Sequence, residues 1–459
     1  MIGSAYNHAR LSDVCFCDRR TRTPVRLVAV KYVRDVAAVT EPDTVHESAT
    51  PETESAAAPD ASDAPPDAPG APRRRRRWLR WAALAVSVLV LGAAGAGWSL
   101  YQKLNGNIRT DQDTADELAR YEHERPVPIA GKAQNILLLG SDTRGDGNGA
   151  YGRDEGSERA DTAILLHIAA DRKSALGVSI PRDLMTRVPE CTARDGGRTR
   201  ARLAQFNWAF EFGGTACTIR TVEKMTDIRV DHHLVVDFRG FKKLVDAVGG
   251  VEVCLSEPVH DKQALLDLPA GRQTLHGGDA LGYVRARHGI GDGSDTGRID
   301  RQQQFLGSLV KKVRSTGVLL NPGKVYPVLD AATSALTADS GLDSLPELYE
   351  LVRAVRDIPE DQVRFLTVPR QSYALDANRD ELVQPEADEL FTRLRNDRPV
   401  HLASEGPDTA DAGSAKGDAG QRPRKEAEGE GKADADSAYR GTTAARDICA
   451  PNGAENEAN

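Results

Sequence analysis

The sequence predicts an α/β fold, a sandwich of helices on a sheet with an antiparallel component, and three observations carry the prediction. Apolar runs of strand length, "QNILLL" (134–139), "TAILLHIA" (162–169) and "SALGVSI" (174–180), lie close together, and the tight turn "ADRK" makes the last two antiparallel neighbours. Helical spacing then takes over in 215–226, in 238–248 and in 298–314, where Phe305, Leu306, Leu309, Val310 and Val313 share one face. Later strands, "VEVCL" (251–255) and "VRFLTV" (363–368), bracket helices near 278–287, 323–335 and 343–356, a mixture that a strict βαβ repeat does not give.

Each element has its own signal. The run 134–139 opens the folded domain as a short buried strand. The helix at 238–248 stops at Gly249-Gly250, the residue type that ends helices. Only 40% of the 459 residues are hydrophobic, which is low for a fully packed chain, so part of it is expected outside any core. The Pro, Ala, Glu and Asp-rich tract 46–72 cannot bury enough surface to offset its chain entropy. The polar segment 404–459 is expected to be a disordered tail for the same reason. Residues 1–45 carry short apolar runs such as "RLVAVKYV" and receive no function; a start assigned too far upstream is one account of them.

Residues 78–101 hold an apolar run of about 20 residues, long enough to cross a hydrocarbon core of about 30 Å. Trp81, Trp98 and Tyr101 are placed as interfacial anchors. Arg73 to Arg77 and Arg80 stand on one side only, so the positive-inside rule puts the N-terminus in the cytoplasm and the folded domain outside. A cleaved signal peptide is the competing reading, since "AGA" at 95–97 resembles a cleavage site, but the long segment before the run is a poor signal n-region. The expected organisation is therefore a cytoplasmic, largely disordered segment (1–77), a signal anchor (78–101), a stalk (102–133), a core (134–315), its C-terminal completion (316–403) and the tail.

A net charge of −8 argues against a general nucleic-acid binder, so any anion site must be local. Cys15 and Cys17 fall inside; Cys191, Cys217, Cys254 and Cys449 fall outside, where disulfides persist. Cys191 with Cys217, flanking a loop and a helix start, is the preferred pair, although sequence does not separate the three pairings. No zinc-ligand spacing occurs.

Charged clusters sit at the ends of buried strands. "LLLGSDTR" supplies Asp142 and Arg144, "ERADTAILL" supplies Arg159 and Asp161, and "SIPRDL" supplies Arg182 and Asp183. A hairpin of the second and third strands would bring Arg159, Asp161 and Arg182 to one edge. Carboxylates can hold a hard cation such as Mg²⁺ together with phosphate oxygens, and arginines present planar forks that match phosphate. In "YVRARHGIGDGSDTGRIDRQQQ" (283–304), Arg285 and Arg287 alternate, and Arg298, Arg301 and Gln302 share a face near a helix N-terminus, where an anion is favoured. A multiply charged phosphate is the ligand this pattern suits. Neither a P-loop nor a nucleophile elbow occurs. The adjacent His232 and His233 would point to opposite strand faces, and His288 is a weak candidate.

Together, "NILLLGSDTR", "RADTAILLHI", "SIPRDL", "FNWAFEFGG", "VDFRGFKKLVDAVGGVEV", "LHGGDALGYVRARH" and "GRIDRQQQ" resemble, in order and spacing, the LytR-CpsA-Psr family of envelope glycopolymer transferases over about 134–315. The resemblance implies an α-β-α sandwich around a mixed, largely antiparallel sheet, with an apolar pocket for a polyprenyl tail. It implies Mg²⁺-assisted transfer (Mg²⁺ or Mn²⁺) of a glycopolymer from a polyprenyl-diphosphate carrier in the lipid bilayer to a peptidoglycan acceptor, as a phosphodiester. Matching positions give Asp142 and Asp161 to the metal, and Arg144, Arg159, Arg182, Arg285, Arg287, Arg298 and Gln302 to the diphosphate, with Asn207 in support. Asp142, Asp161, Arg182 and Arg287 are the expected catalytic set, Asp142 being the preferred base. Where the family often reads Asn-His, this chain reads Asn207-Trp208, which removes a role for histidine there. Asp237 matches a variable position and is kept outside the site. An envelope regulator, a lipid-binding scaffold without transferase activity, and a polyprenyl-diphosphate hydrolase are the alternative functions.

Overall fold

A computed structural model describes residues 73–129, 131–142, 160–287, 289–290, 294–315, 322–403 and 439–449. The chain divides at Arg77/Trp78, and apart from the first turn of helix α1 the fold described below lies in the second unit. Expectations for residues 1–72 and for Arg144, Arg159 and His288 lie outside the described residues.

Helix α1 (Arg73–Asn107) carries the apolar run; from Trp78 it is long and apolar enough to cross a membrane, and Trp78, Trp81 and Leu91 are exposed. It leads into β1 (Arg109–Thr110) and α2 (Gln112–Arg120), whose N-cap Asp111 accepts from the Thr114 N–H. Leu104, Ile108 and Leu118 are buried, so 102–133 is not a stalk but part of the fold. Its apolar residues are too few and too spaced to show as a periodic run; burial comes from neighbours distant in sequence.

The central strands follow: β2 (Gln134–Ser141), β3 (Ala160–Ile168) and β4 (Ala175–Ser179), then a hairpin of β5 (Met185–Val188) and β6 (Arg202–Gln205). Helix α3 (Trp208–Thr226) is kinked at Gly213-Gly214. Gly214 adopts a φ of 62°, and a Cβ on Gly213 would lie 2.9 Å from that of Cys217. After it come β7 (His232–Asp237) and α4 (Phe238–Ala247). A subsidiary layer consists of β8 (Val251–Leu255), β9 (Val259–Asp261), β10 (Leu266–Leu268) and β11 (Gly271–Leu275). Then α5 (Gly277–Arg285), α6 (Asp295–Ser315), α7 (Pro322–Ala335), α8 (Leu345–Asp357) and β13 (Val363–Thr367) match the predicted elements or extend them, and the short β12 (Leu336–Ala338), which the sequence does not signal, lies between α7 and α8. The last described elements are β14 (Arg370–Tyr373), β15 (Asp376–Leu382), α9 (Glu386–Arg395) and β16 (Gly441–Thr443).

One eight-stranded sheet runs β1-β12-β7-β2-β3-β4-β13-β16, with four antiparallel and three parallel pairings. Alternation along β2 sorts its side chains between two layers. Leu137 and Leu139 pack with Ile219 and Val222 of α3 and Phe391 of α9, while Ile136 joins Phe365, and the half-buried Leu306 and Val355 pack against that second cluster. This is the α-β-α sandwich. The third cluster, around Val253, Tyr283 and Phe305, joins the subsidiary strands to α5 and α6.

The expected disordered tail is corrected for Tyr439–Cys449: β16 pairs antiparallel with β13, and Cys449 is bonded to Cys254. So short a strand leaves no periodic signature; the register with β13 makes it. Cys191 is bonded to Cys217, the preferred pair.

A candidate site at the mouth of an apolar cavity

The antiparallel β2-β3-β4 register places the C-terminal ends of β2 and β4 and the start of β3 at one sheet edge. The parallel partners β7 and β13 end there too. Chain ends therefore converge where Asp142, Asp161, Arg182 and Asp237 emerge. A cavity of about 510 Å³ opens at this edge between the sheet and α4, α5 and α6. Its interior is apolar, with Ile164, Phe241, Leu281, Phe305 and Leu309 among the lining; its rim carries Asp161, Arg182, Arg285, Arg287, Arg298 and Gln302.

Nη1 of Arg182 donates to Oδ1 of Asp161 at 2.9 Å and Nε donates to Oδ2 of Asp183 at 3.3 Å. Burial works against the Arg182 charge, and Asp161, Asp183 and Asp295 together outweigh it, holding its pKa above the ordinary guanidinium value. Arg298 is buried and paired with Asp295, and Arg287 Nη2 lies 3.7 Å from the same carboxylate. Burial pushes the Arg298 pKa down; Asp295 opposes, and the nearby Arg182 adds to the fall. Nε of Arg298 and Nη2 of Arg287 are buried and donate no hydrogen bond among the described residues. Such donors need an acceptor, and a phosphate entering the rim would supply one.

Other predicted residues hold the frame. Gln302 Nε2 donates to the Val284 carbonyl at 3.0 Å, and Arg301 to the Ala286 carbonyl, so both fix the end of α5. The expectation that Arg301 faces the ligand is corrected: unlike Arg298 it does not line the cavity, and its guanidinium is turned to the Ala286 carbonyl. Arg285 lies over the Phe238 ring, 4.6 Å from its centroid. Asn207 is buried, its N–H donates to the Arg182 carbonyl at 3.0 Å, and its Oδ1 has no partner among the described residues. Asp237 lines the cavity but is spent as the N-cap of α4, accepting from Gly240 N–H at 2.6 Å.

Several residues escaped the sequence reading. Buried Asp261 accepts from the backbone N–H groups of Arg287, Gln263 and Ala264 at 3.0, 2.8 and 3.0 Å, so it holds the strand of chain that presents Arg287. The β14–β15 hairpin brings Arg379 to Asp183 at 3.4 Å, and Arg370 to Asp380 and to Thr296 Oγ1 of α6. Burial pushes the Asp380 carboxyl up, Asp295 and Asp183 add to it, and Arg370 opposes. Asp295 had a visible signal, the i,i+3 spacing to Arg298. The hairpin had none, because its residues lie far along the chain.

Asp142, half-buried, leaves β2 beside the start of β3 that bears Asp161. These carboxylates give an all-oxygen donor set that suits a hard divalent cation whose remaining positions go to water and phosphate oxygens. Among the described residues no group of three or more His, Cys, Asp or Glu forms a self-contained metal cage. The set fits a cation shared with a substrate.

The LytR_cpsA_psr family model matches residues 102–396. Cell wall biosynthesis protein LcpA of Corynebacterium glutamicum is 34% identical over 316 residues, 62% of this chain and 58% of that protein, so the chain spans less than two thirds of that relative's length. A polyisoprenyl-teichoic acid–peptidoglycan teichoic acid transferase, TagU of Enterococcus faecalis, is 28% identical over 61% of this chain and 84% of its own. The solved LytR-Csp2A-Psr enzyme from Actinomyces oris is 22% identical, covering 59% of this chain and 93% of that one, with a TM-score of 0.47. With the family match extending over well more than half of the 459 residues, the chain belongs to the LytR-CpsA-Psr family.

Proposed function

We propose that this chain is a membrane-anchored transferase that moves a glycopolymer from a polyprenyl-diphosphate carrier to peptidoglycan. The observation that carries the reading is the rim of Arg182, Arg287 and Arg298, with buried donors still to be satisfied, around the mouth of an apolar cavity. An isoprenoid tail suits the interior and a diphosphate suits the rim. The names of the relatives, a teichoic acid transferase and a cell wall biosynthesis protein, support the same reading.

In the proposed reaction an acceptor hydroxyl oxygen bonds to the sugar-side phosphorus. The bond from that phosphorus to the bridging oxygen breaks, and polyprenyl monophosphate leaves. Phosphoryl transfer needs mainly positioning and charge neutralisation, which fixed guanidinium groups give without reorganising. Arg182 and Arg298 would bind the equatorial oxygens, Arg287 and Arg285 the lipid-side phosphate, and Asp142 would take the hydroxyl proton. Asp142 and Asp161 would hold Mg²⁺ or Mn²⁺, which when bound neutralises phosphate charge.

Helix α1 would anchor the chain, with the arginine-rich side in the cytoplasm and the cavity outside. Strand β1 begins opposite Thr337, next to Leu336, which pairs with Val236 near the site end of β7, so α1 enters the sheet from the edge that carries the rim. A lipid-linked donor would then need to travel little from its bilayer.

The test incubates the purified full chain in detergent with a synthetic polyprenyl-diphosphate sugar and a soluble peptidoglycan fragment, with and without Mg²⁺. A metal-dependent phosphodiester product is expected, lost in Arg182→Ala and Asp161→Ala. Donor binding without product in the presence of acceptor would sink the transferase reading.

A further inference from the structure

Trp208 is the residue that the site leaves unexplained. It begins α3 and stays 37% exposed, in a segment whose neighbours from Ala204 to Asn207, with Ala209 and Phe210, are buried. Its ring meets Phe212 edge-on at 5.9 Å, and the guanidinium of Arg202 lies 4.7 Å from the Phe212 centroid. The partly exposed indole and the Phe212 ring thus form an aromatic pair with one guanidinium, that of Arg202, over its second ring.

Its position relative to the cavity is informative. Asn207, its neighbour, donates its N–H to the Arg182 carbonyl, so with Cα atoms about 3.8 Å apart Trp208 lies within about 10 Å of the Arg182 backbone. No residue between Asp183 and His233 lines the cavity, so β5, β6 and α3 lie outside it and approach it only through Arg182. If the lipid occupies the cavity, the leaving phosphate lies on the cavity side of the reacting phosphorus. In-line displacement then brings the attacking hydroxyl from the opposite side.

We infer that Trp208, with Phe212 and Arg202, forms the subsite for the acceptor glycan strand, an anionic polysaccharide. The inference rests on the transferase reading and goes beyond it by placing the acceptor. The apolar C–H face of a pyranose stacks on the indole, as flat apolar faces do on aromatic rings, and Arg202 takes a carboxylate carried by the strand. The strip begins beside Arg182 and continues along α3 and β6, so a strand laid on it delivers one hydroxyl to the rim while neighbouring sugars hold the register. Trp208 is thus a specificity residue and touches no reacting atom.

The test uses the full chain in detergent with peptidoglycan tetrasaccharides of alternating N-acetylglucosamine and N-acetylmuramic acid as acceptor. Trp208→Ala should raise the acceptor KM about tenfold and leave the donor KM and kcat within about twofold, whereas Trp208→Phe, which keeps a ring, should recover most of the loss. A second arm needs no change at Trp208. The chain has four tryptophans, the others being Trp78, Trp81 and Trp98 of α1, so replacing those three with Phe leaves Trp208 as the only indole. The tetrasaccharide should then shift its emission and shield it from acrylamide, and a neutral dextran tetrasaccharide should do so weakly. An unchanged acceptor KM in Trp208→Ala, a rise in donor KM instead, or an indole that ignores the glycan overturns the inference. Glycan binding at Trp208 in a chain that turns over no donor would leave the subsite standing and the transferase reading failed. Turnover with a silent Trp208 would mean the reverse.

Discussion

The carboxylate of Asp161 accepts a 2.9 Å hydrogen bond from Arg182, joining the start of β3 to the chain leaving β4. The pair is one-third exposed at the carboxylate and one-fifth at the guanidinium, so both groups reach the cavity rim. A carboxylate in that position keeps the arginine fork oriented before any phosphate arrives, and preorganised charge is what phosphoryl transfer draws on.

Arg182→Ala and Asp161→Ala are each expected to lower kcat/KM by about 10²- to 10³-fold, as loss of one preorganised charged group does. Because the two act as a unit, the double variant should lose little more than the worse single one. Arg182→Lys should rescue poorly, since a point charge cannot hold Asp161, Asp183 and a phosphate together. Steady-state kinetics of the native chain and the four variants checks all three statements; additive losses would separate the pair.

Asp261 is expected to act through Arg287. Asp261→Ala strands three backbone N–H groups in a buried turn, at a cost of about 1–3 kcal/mol for each donor left unmade. The donor KM should rise more than kcat falls, because the arginine is misplaced and the rest of the rim is intact. Asp261→Asn, which keeps an acceptor oxygen, should lie between. Unfolding curves and donor-dependent kinetics on the same preparations distinguish loss of fold from loss of placement.

What the sequence made legible follows from where the physics is local. The strands of the centre are runs of buried apolar residues, and helix α6 shows its inward face as Phe305, Leu306, Leu309 and Val310, so both could be read directly. The rim was legible because Asp161 and Arg182 flank those strands and a hairpin brings strand ends together. Asp261, Arg370, Arg379 and Asp380 were not, since each acquires its role from a contact across many residues of chain. The segment 102–133 and the strand β16 were missed for a related reason: two or three residues can pair with a sheet without any periodicity of their own.

The Cys254–Cys449 bond closes a loop of 195 residues and fastens the end of the chain to β8. Cys449→Ser is expected to reduce the stability by about 2–5 kcal/mol. Truncation after residue 403 should cost more, because it also strips the edge strand β16 from β13. Urea unfolding of the two variants, with the native chain in oxidising and reducing buffer, measures both. Equal losses in the two variants would assign the whole effect to the disulfide.

A pH dependence is expected at the sheet end remote from the site. Nδ1 of His232 lies 3.1 Å from Oδ1 of Asp339, whose other oxygen accepts from the His233 N–H at 2.7 Å. The hydrogen bond to Asp339 raises the His232 pKa above its ordinary value of 6.5; burial opposes it, and Asp231 and Glu347 add to the rise. A raised pKa in the folded state means that the folded chain holds the proton more tightly. The resulting stability is fully present below pH 6.5 and is lost as the pH rises through the higher folded value. His167 works in the other sense: burial lowers its pKa although Asp397 opposes, so it favours the fold less as the pH falls. The two are separated by difference. The melting temperature of the native chain should exceed that of His232→Gln most at mildly acidic pH, and the gap should close above neutrality. A gap that stays constant between mildly acidic and mildly basic pH would remove His232 as the titrating group.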